Sequence, residues 1–206
     1  MKQNIYEFMS SRSESSTTID IYQSAVKGYN SLLNILKPIL SNLYESLFLL
    51  SNMKEGISKL VFIKTFDLKG IIGERMYRMF SIGLQGIKKD SFLSKLLIFY
   101  SVSIKQKIKF VFELLDLEGN GKATREDVFI ILSVISLNHF SILTWRIFCK
   151  KYANKESSIE KLIKEIIRIS FLGSKEINLK DFEYLTFYLS SDLYLIIYTY
   201  IIKCFP

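Results

Sequence analysis

The residues best suited to chemistry lie between Asp116 and Asp127, where oxygen-bearing side chains recur at short intervals. Counted from Asp116 as position 1, Glu118 and Asn120 take positions 3 and 5, Thr124 position 9 and Asp127 position 12. Gly121 at position 6 allows a sharp turn, and Lys122 at position 7 offers its backbone carbonyl. Oxygen donors in this order can surround one hard divalent cation, Ca2+ or Mg2+. Three carboxylates on so short a loop repel one another without a cation.

Other chemistries find no residues to carry them. The one histidine, His139, lies in an apolar stretch, which removes paired-histidine zinc chemistry. Two cysteines, Cys149 and Cys204, are too few and too scattered for a disulfide framework or a zinc site, so a reducing, cytoplasmic setting is expected. No GxSxG, P-loop or GxGxxG pattern occurs, and an enzyme is not expected. The net charge of +8 implies acidic partners, an anionic membrane face or nucleic acid. The lysines are dispersed, as at Lys105, Lys107 and Lys109, then Lys150 and Lys151, then Lys161 and Lys164. No aromatic-plus-basic RNA motif accompanies them, so nucleic acid is not an expected partner.

The elements that position the loop are expected to be helices. Apolar residues make up 49% of the chain, with 16 Phe and 12 Tyr but only two Pro and nine Gly, too few breakers for a sandwich or barrel. Residues 1–18 are polar and Ser-rich, and read as a flexible arm and a phosphorylation target with no signal-peptide pattern. Lys2 stands where N-myristoylation needs glycine. Thr17 or Thr18 caps a helix expected to reach Lys37, on which Ile21, Ala25, Tyr29, Leu32, Leu33 and Leu36 recur at helical spacing. Pro38 interrupts it or opens the next turn, and residues 39–49 continue helical. The longest apolar run, Leu193 to Ile202, is too short to span a bilayer.

Ile108, Val111, Phe112 and Leu115 precede the loop, and Val128, Ile131, Leu132 and Ile135 follow it, as apolar stripes on two helices. Three weaker copies align on an isoleucine at position 8: Leu50–Val61 on Ile57, Phe80–Ser91 on Ile87 and Ser170–Asp181 on Ile177. Phe62, Phe92 and Phe182 follow them. The last copy is flanked by Leu162, Ile166 and Ile169 before the loop and by Leu185 and Leu189 after it. It has Ser170, Leu172 and Ser174 at positions 1, 3 and 5, so no metal is expected there. Pairing of neighbouring loops predicts Ala123 opposite Ile177 and Ile57 opposite Ile87.

From about residue 40 onward the chain resembles the EF-hand superfamily, in particular calcineurin B subunits and neuronal calcium sensors. The segments that carry the resemblance are IKFVFELLDLEGNGKATREDVFIIL (108–132), ERMYRMF (74–80) and INLKDFEYL (177–185). Position 8 recurs after 30 residues from Ile57 to Ile87, after 36 to Ala123 and after 54 to Ile177. The long third gap holds 138–154, whose Trp145, Ile147 and Phe148 suggest an extended exit helix or an insertion.

The resemblance implies an all-α fold of two lobes, each a pair of helix–loop–helix hands joined by short loop-pairing β-bridges. Residues 19–100 would form the lobe of degenerate hands, and 101–190 the lobe with the metal-type hand (116–127) and a degenerate one (170–181). Residues 191–206 would form a hydrophobic C-terminal helix that covers the protein's own groove. The implied ligands are Asp116, Glu118, Asn120, the Lys122 carbonyl, Thr124 and Asp127. Asp127 stands in place of Glu, Glu118 in place of Asp or Asn, and Ala123 in place of Ile; a shorter position-12 carboxylate favours six-coordinate Mg2+ over seven-coordinate Ca2+.

The expected function is a regulatory or scaffolding subunit that holds an amphipathic helix of a partner protein in an apolar groove, with at most one divalent ion. The alternative is a membrane-associated protein that uses Leu193 to Phe205 and lysine side chains on an anionic surface, with Cys204 as a site for a palmitoyl group. The cytoplasm, the periphery of a membrane or a larger assembly are the corresponding locations.

Overall fold

Helix dominates wherever the chain is described, as its scarcity of breakers predicts. The computed structural model describes residues 16–81, 83, 86–101, 103–135, 159–188 and 192–205 of the 206. The Ser-rich arm up to Ser15, His139, Cys149, the Lys150–Lys151 pair, Leu189 and the 138–154 segment with Trp145, Ile147 and Phe148 lie outside the described residues. The described elements are α1 (Ser16–Ser51), α2 (Lys59–Thr65), α3 (Gly70–Phe80), α4 (Lys89–Tyr100) and α5 (Ile104–Leu115). They continue with β1 (Lys122–Thr124), α6 (Arg125–Val134), α7 (Ile159–Phe171), β2 (Glu176–Asn178), α8 (Leu179–Tyr188) and α9 (Asp192–Cys204). Among the described residues the fold is all-α apart from one two-stranded ribbon. None of the described helices is by itself long and apolar enough to cross a membrane.

Residues 1–40 form one unit and residues 41–206 a second. The sequence predicts a break at Pro38, yet α1 runs through it. Pro38 has no N–H to donate to the Asn34 carbonyl, a loss of about 3 kcal/mol in a helix interior. Burial of Leu40, Tyr44 and Leu47 along the same helix offsets it, at about 1.5–3 kcal/mol for each apolar side chain.

In the second unit the helices flank short loops in succession, and the loops meet in pairs. β1 and β2 are antiparallel with Ala123 opposite Ile177, the register that the sequence predicts. Ile57 and Ile87 form an isolated antiparallel bridge, each N–H donating to the other's carbonyl at 3.0 Å. All four bridge residues are buried, so each short ladder sits over a core and shields its hydrogen bonds from water.

The Ile57–Ile87 bridge depends on two glycines. A Cβ on Gly56 would lie 2.8 Å from the Ile87 carbonyl oxygen, and one on Gly86 would lie 2.9 Å from that of Ile57. Gly86 also has φ of +85°, in the left-handed region that disfavours a side chain. Gly86→Ala is therefore expected to destabilise the chain by about 2 kcal/mol or more, adding backbone strain to steric exclusion. Chemical denaturation reads this directly, and a loss below about 0.5 kcal/mol would mean that the bridge shifts freely.

The eight apolar positions flanking Asp116–Asp127 are all buried: Ile108, Val111, Phe112, Leu115, Val128, Ile131, Leu132 and Ile135. The Ser170–Asp181 copy departs from expectation at one place. Ile169 is 45% exposed, while Ile163, Ile166, Ile167 and Ser170 are buried. One residue is 100° around a helix, so a stripe anchored on Ile163 and Ile167 turns Ile169 outward.

Candidate metal centre and apolar cleft

α5 delivers Asp116 to the head of the loop. The helix starts at Ser103, whose hydroxyl accepts the Gln106 N–H, and closes when the Asp116 N–H donates to the Phe112 carbonyl at 2.9 Å. Gly119 (φ +74°) and Gly121 (φ +83°) then bend the chain back around the Asp116 side chain. Oδ1 accepts the N–H groups of Gly119 (2.8 Å) and Asn120 (3.1 Å), and Oδ2 accepts that of Gly121 (2.8 Å). Asp116 is 6% exposed, so these charge-assisted bonds replace most of its hydration.

The remaining sequence-derived ligands are also engaged within the loop. The Asn120 side-chain carbonyl accepts the Lys122 N–H at 2.9 Å, and its amide donates to Glu118 Oε2 at 2.8 Å. Thr124 caps α6: its hydroxyl accepts the Asp127 N–H at 3.1 Å, and Asp127 Oδ2 accepts the Thr124 N–H at 2.9 Å. The same reciprocal device opens α8, where Asn178 accepts the Lys180 and Asp181 N–H groups and Asp181 accepts the Asn178 N–H. Position 12 of both loops is thus a helix-capping carboxylate.

Among the described residues no three His, Cys, Asp or Glu side chains come together in a group that could hold a metal ion. The donor chemistry still suits a hard cation, because every side chain at positions 1, 3, 5, 9 and 12 offers oxygen. In this arrangement the oxygens hold the loop itself in shape. To take up a cation, Asp116 would exchange amide hydrogen bonds for metal contacts.

Arg75 is a residue that the loop pattern does not reveal. From α3 it donates to the Glu113 carbonyl through Nε (3.2 Å) and Nη2 (3.0 Å), to Leu117 through Nη1 (3.3 Å), and also to the Asp116 carbonyl. A guanidinium here satisfies open carbonyls at the negative end of α5. Lys95 on α4 approaches the Glu113 carboxylate at 3.5 Å, so α3 and α4 both hold the entrance of the loop. Arg75 and Lys95 come from helices outside the loop's own helix pair, which is why spacing within the motif gives no sign of them.

The second candidate feature is the cleft occupied by α9. Leu193, Ile196, Ile197, Ile201 and Phe205 are buried, and Phe205 sits among four rings. Its centroid lies 4.4 Å from that of Phe66, 5.4 Å from Phe99, 6.0 Å from Phe80 and 6.2 Å from Phe62. The Tyr198 hydroxyl donates to the Phe99 carbonyl at 3.3 Å, and the Lys107 ammonium stands 5.5 Å over the Tyr198 ring. A separate open groove of about 620 Å³ lies between α6 and α7, lined by apolar Phe129, Ile130 and Ile167 together with charged residues of both signs.

Burial of α9 shows in its titratable groups. It pushes the Tyr200 hydroxyl up to about 12 and raises Tyr194 as well, with neighbouring Tyr198 adding to the effect at Tyr194. It also raises the half-buried Cys204 thiol, against a hydrogen bond from Tyr200 that acts in the opposite direction. In the unfolded chain a tyrosine ionises near about pH 10, whereas in the folded chain both phenols keep their protons. Their share of stability is intact below about pH 10 and is lost as pH rises toward about 12, by at most about 1.4 kcal/mol per pH unit for each phenol. Denaturation midpoints between pH 8 and 11.5 should fall accordingly, and Tyr200→Phe should flatten the decline. A profile that is flat in the wild type would mean that α9 already admits solvent.

No protein-family model matches the chain, and no curated protein matches it.

Proposed function

We propose that this protein is an EF-hand-type regulatory or scaffolding subunit, with four hands in two pairs, that holds an amphipathic helix of a partner protein. The observation that carries the reading is α9 lying in an aromatic cleft, with Phe205 seated among Phe62, Phe66, Phe80 and Phe99. A chain that binds one apolar helix of its own has the shape and desolvated surface to exchange it for another. The loop pairings Ala123–Ile177 and Ile57–Ile87 support the hand assignment. Purifying the protein from its source cells and identifying the co-purifying chain tests it. Loss of that partner on adding a peptide of residues 191–206 would place both helices in one cleft; retention would place the partner elsewhere.

The ion belongs to the same proposal. One divalent cation binds at Asp116–Asp127, with Asp116, Glu118, Asn120, the Lys122 carbonyl, Thr124 and Asp127 as its ligands, and the three degenerate loops bind none. Calorimetry should find at most one tight site, and two or more would sink the assignment. Asp127→Glu lengthens the position-12 carboxylate while keeping an N3 acid for the helix cap. It should shift preference from Mg2+ toward Ca2+ about tenfold or more, since Ca2+ accepts more and longer contacts. An unchanged Ca2+/Mg2+ ratio would show that Asp127 serves only α6.

The membrane-associated alternative requires α9 to leave its cleft, because Leu193, Ile196, Ile197 and Ile201 are buried and only Leu195 and Ile202 among its large aliphatic residues are exposed. Cys204, the palmitoylation site that this reading offers, is half-buried, and burial raises its thiol. Pelleting with anionic vesicles, with and without residues 191–206, discriminates between the two readings.

A further inference from the structure

A positive charge stands at the head of the candidate metal loop, outside the set of residues that would hold the ion. Arg75 reaches from α3 to the backbone carbonyls of Glu113, Asp116 and Leu117, and Asp116 is the first ligand position. Carbonyls at the end of a helix carry partial negative charge and draw cations. A fixed guanidinium already takes that place at the end of α5. Arg75 is half-buried and Asp116 is buried, so water screens charges here less than at an open surface. We propose that Arg75 opposes cation uptake at Asp116–Asp127 and thereby sets the affinity of the loop. The inference rests on the reading that one divalent ion binds there.

The surroundings of the loop single out this residue. Among the described residues no lysine or arginine pairs with the carboxylates of Asp116, Glu118 or Asp127, so their charge is open to an ion. The other nearby cations are engaged elsewhere: Lys122 with Glu176, Lys95 and Lys109 with the Glu113 carboxylate, and Arg125 with the Ser174 carbonyl at 2.8 Å. Arg75 differs from them in touching the backbone of residue 116 itself. A divalent ion drawn to the Asp116 carboxylate meets this like charge held on the same residue, and the two repel. By reciprocity the ion must weaken the hold of Arg75 on α5 by the same factor. The guanidinium also braces the end of α5, which by itself would favour binding. Lysine separates the two effects, because it keeps the charge and gives up the planar fork of donors.

Calorimetric titration of the full chain with Mg2+ and with Ca2+, as wild type, Arg75→Lys and Arg75→Gln, tests the proposal. At an ionic strength of about 20 mM the glutamine variant should bind about tenfold tighter than the lysine variant. At about 0.5 M the gap should shrink to about threefold or less, because salt screens a charge but does not restore a lost hydrogen bond. A glutamine variant that binds no tighter than the lysine variant overturns the proposal, as does a gap that salt leaves unchanged. A helical, folded wild type that takes up neither ion overturns the ion assignment itself, and this inference with it. NMR on the wild type gives a reading that needs no variant to fold. The Arg75 Nε hydrogen, which donates to the Glu113 carbonyl at 3.2 Å, should exchange with solvent about fivefold or more faster once the ion is bound. Exchange that stays the same or slows on ion binding overturns the proposal.

Discussion

Phe205→Ala should lower the free energy of unfolding by about 3–5 kcal/mol, the range for removing a large ring from a packed core. Phe205 is 7% exposed and touches four phenylalanines, so truncation leaves a ring-sized void lined by Phe62, Phe66, Phe80 and Phe99. Those residues lie on α2, α3 and α4 or beside them, and α9 follows α8, so one side chain ties the end of the described chain to its first loop pair. Phe205→Leu should recover more than half of the loss, because it refills most of the volume without the ring geometry. Urea denaturation gives both values. A change below about 1 kcal/mol for the alanine variant would show that the cleft closes without the ring, and α9 would then be a loosely held cover.

Asp116→Ala is expected to cost about 3 kcal/mol even in the presence of a chelator. Three amides lose a buried, charged acceptor, and single hydrogen bonds to charged groups contribute about 1.5–3 kcal/mol each before the loop relaxes. Asp116→Asn should fall between the two, since its carbonyl oxygen can still accept from Gly119 and Asn120 while its amide meets the Gly121 N–H. Denaturation in chelator isolates this architectural role, and repeating it with Mg2+ or Ca2+ adds whatever the cation supplies to the wild type alone. A loss below about 1 kcal/mol in chelator would mean that water replaces the carboxylate at little cost.

Much of the all-helical architecture was legible because it depends on local spacing. Eight apolar residues at fixed offsets from Asp116 all proved to be buried, and the position-8 alignment anticipated both bridges to the residue. Features set by tertiary neighbours were not legible. Pro38 is a strong local breaker, but burial further along α1 outweighs it. Ile169 obeys helical spacing in isolation, yet the stripe that faces inward is the one through Ile163 and Ile167. Arg75 lies outside the loop pattern; only the approach of α3 to the end of α5 gives it a role. Asp116 and Asp127 were recognised as oxygen donors, whereas their amide partners could be seen only once the loop and helix cap were folded.

The separation between Phe205 and the rings that receive it has a consequence for how the protein is made. Phe99, the latest of the four rings to be synthesised, leaves the ribosome about 106 residues before Phe205. At about 5–20 residues per second, that interval lasts roughly 5–21 s, far longer than helix formation or collapse. The first loop pair therefore exists for many seconds as a nascent structure with its aromatic cleft open. A chaperone or a partner helix synthesised nearby meets that cleft before α9 exists to compete for it. Occupancy of the cleft can then be decided by the order of synthesis, with slow exchange preserving the outcome long after release.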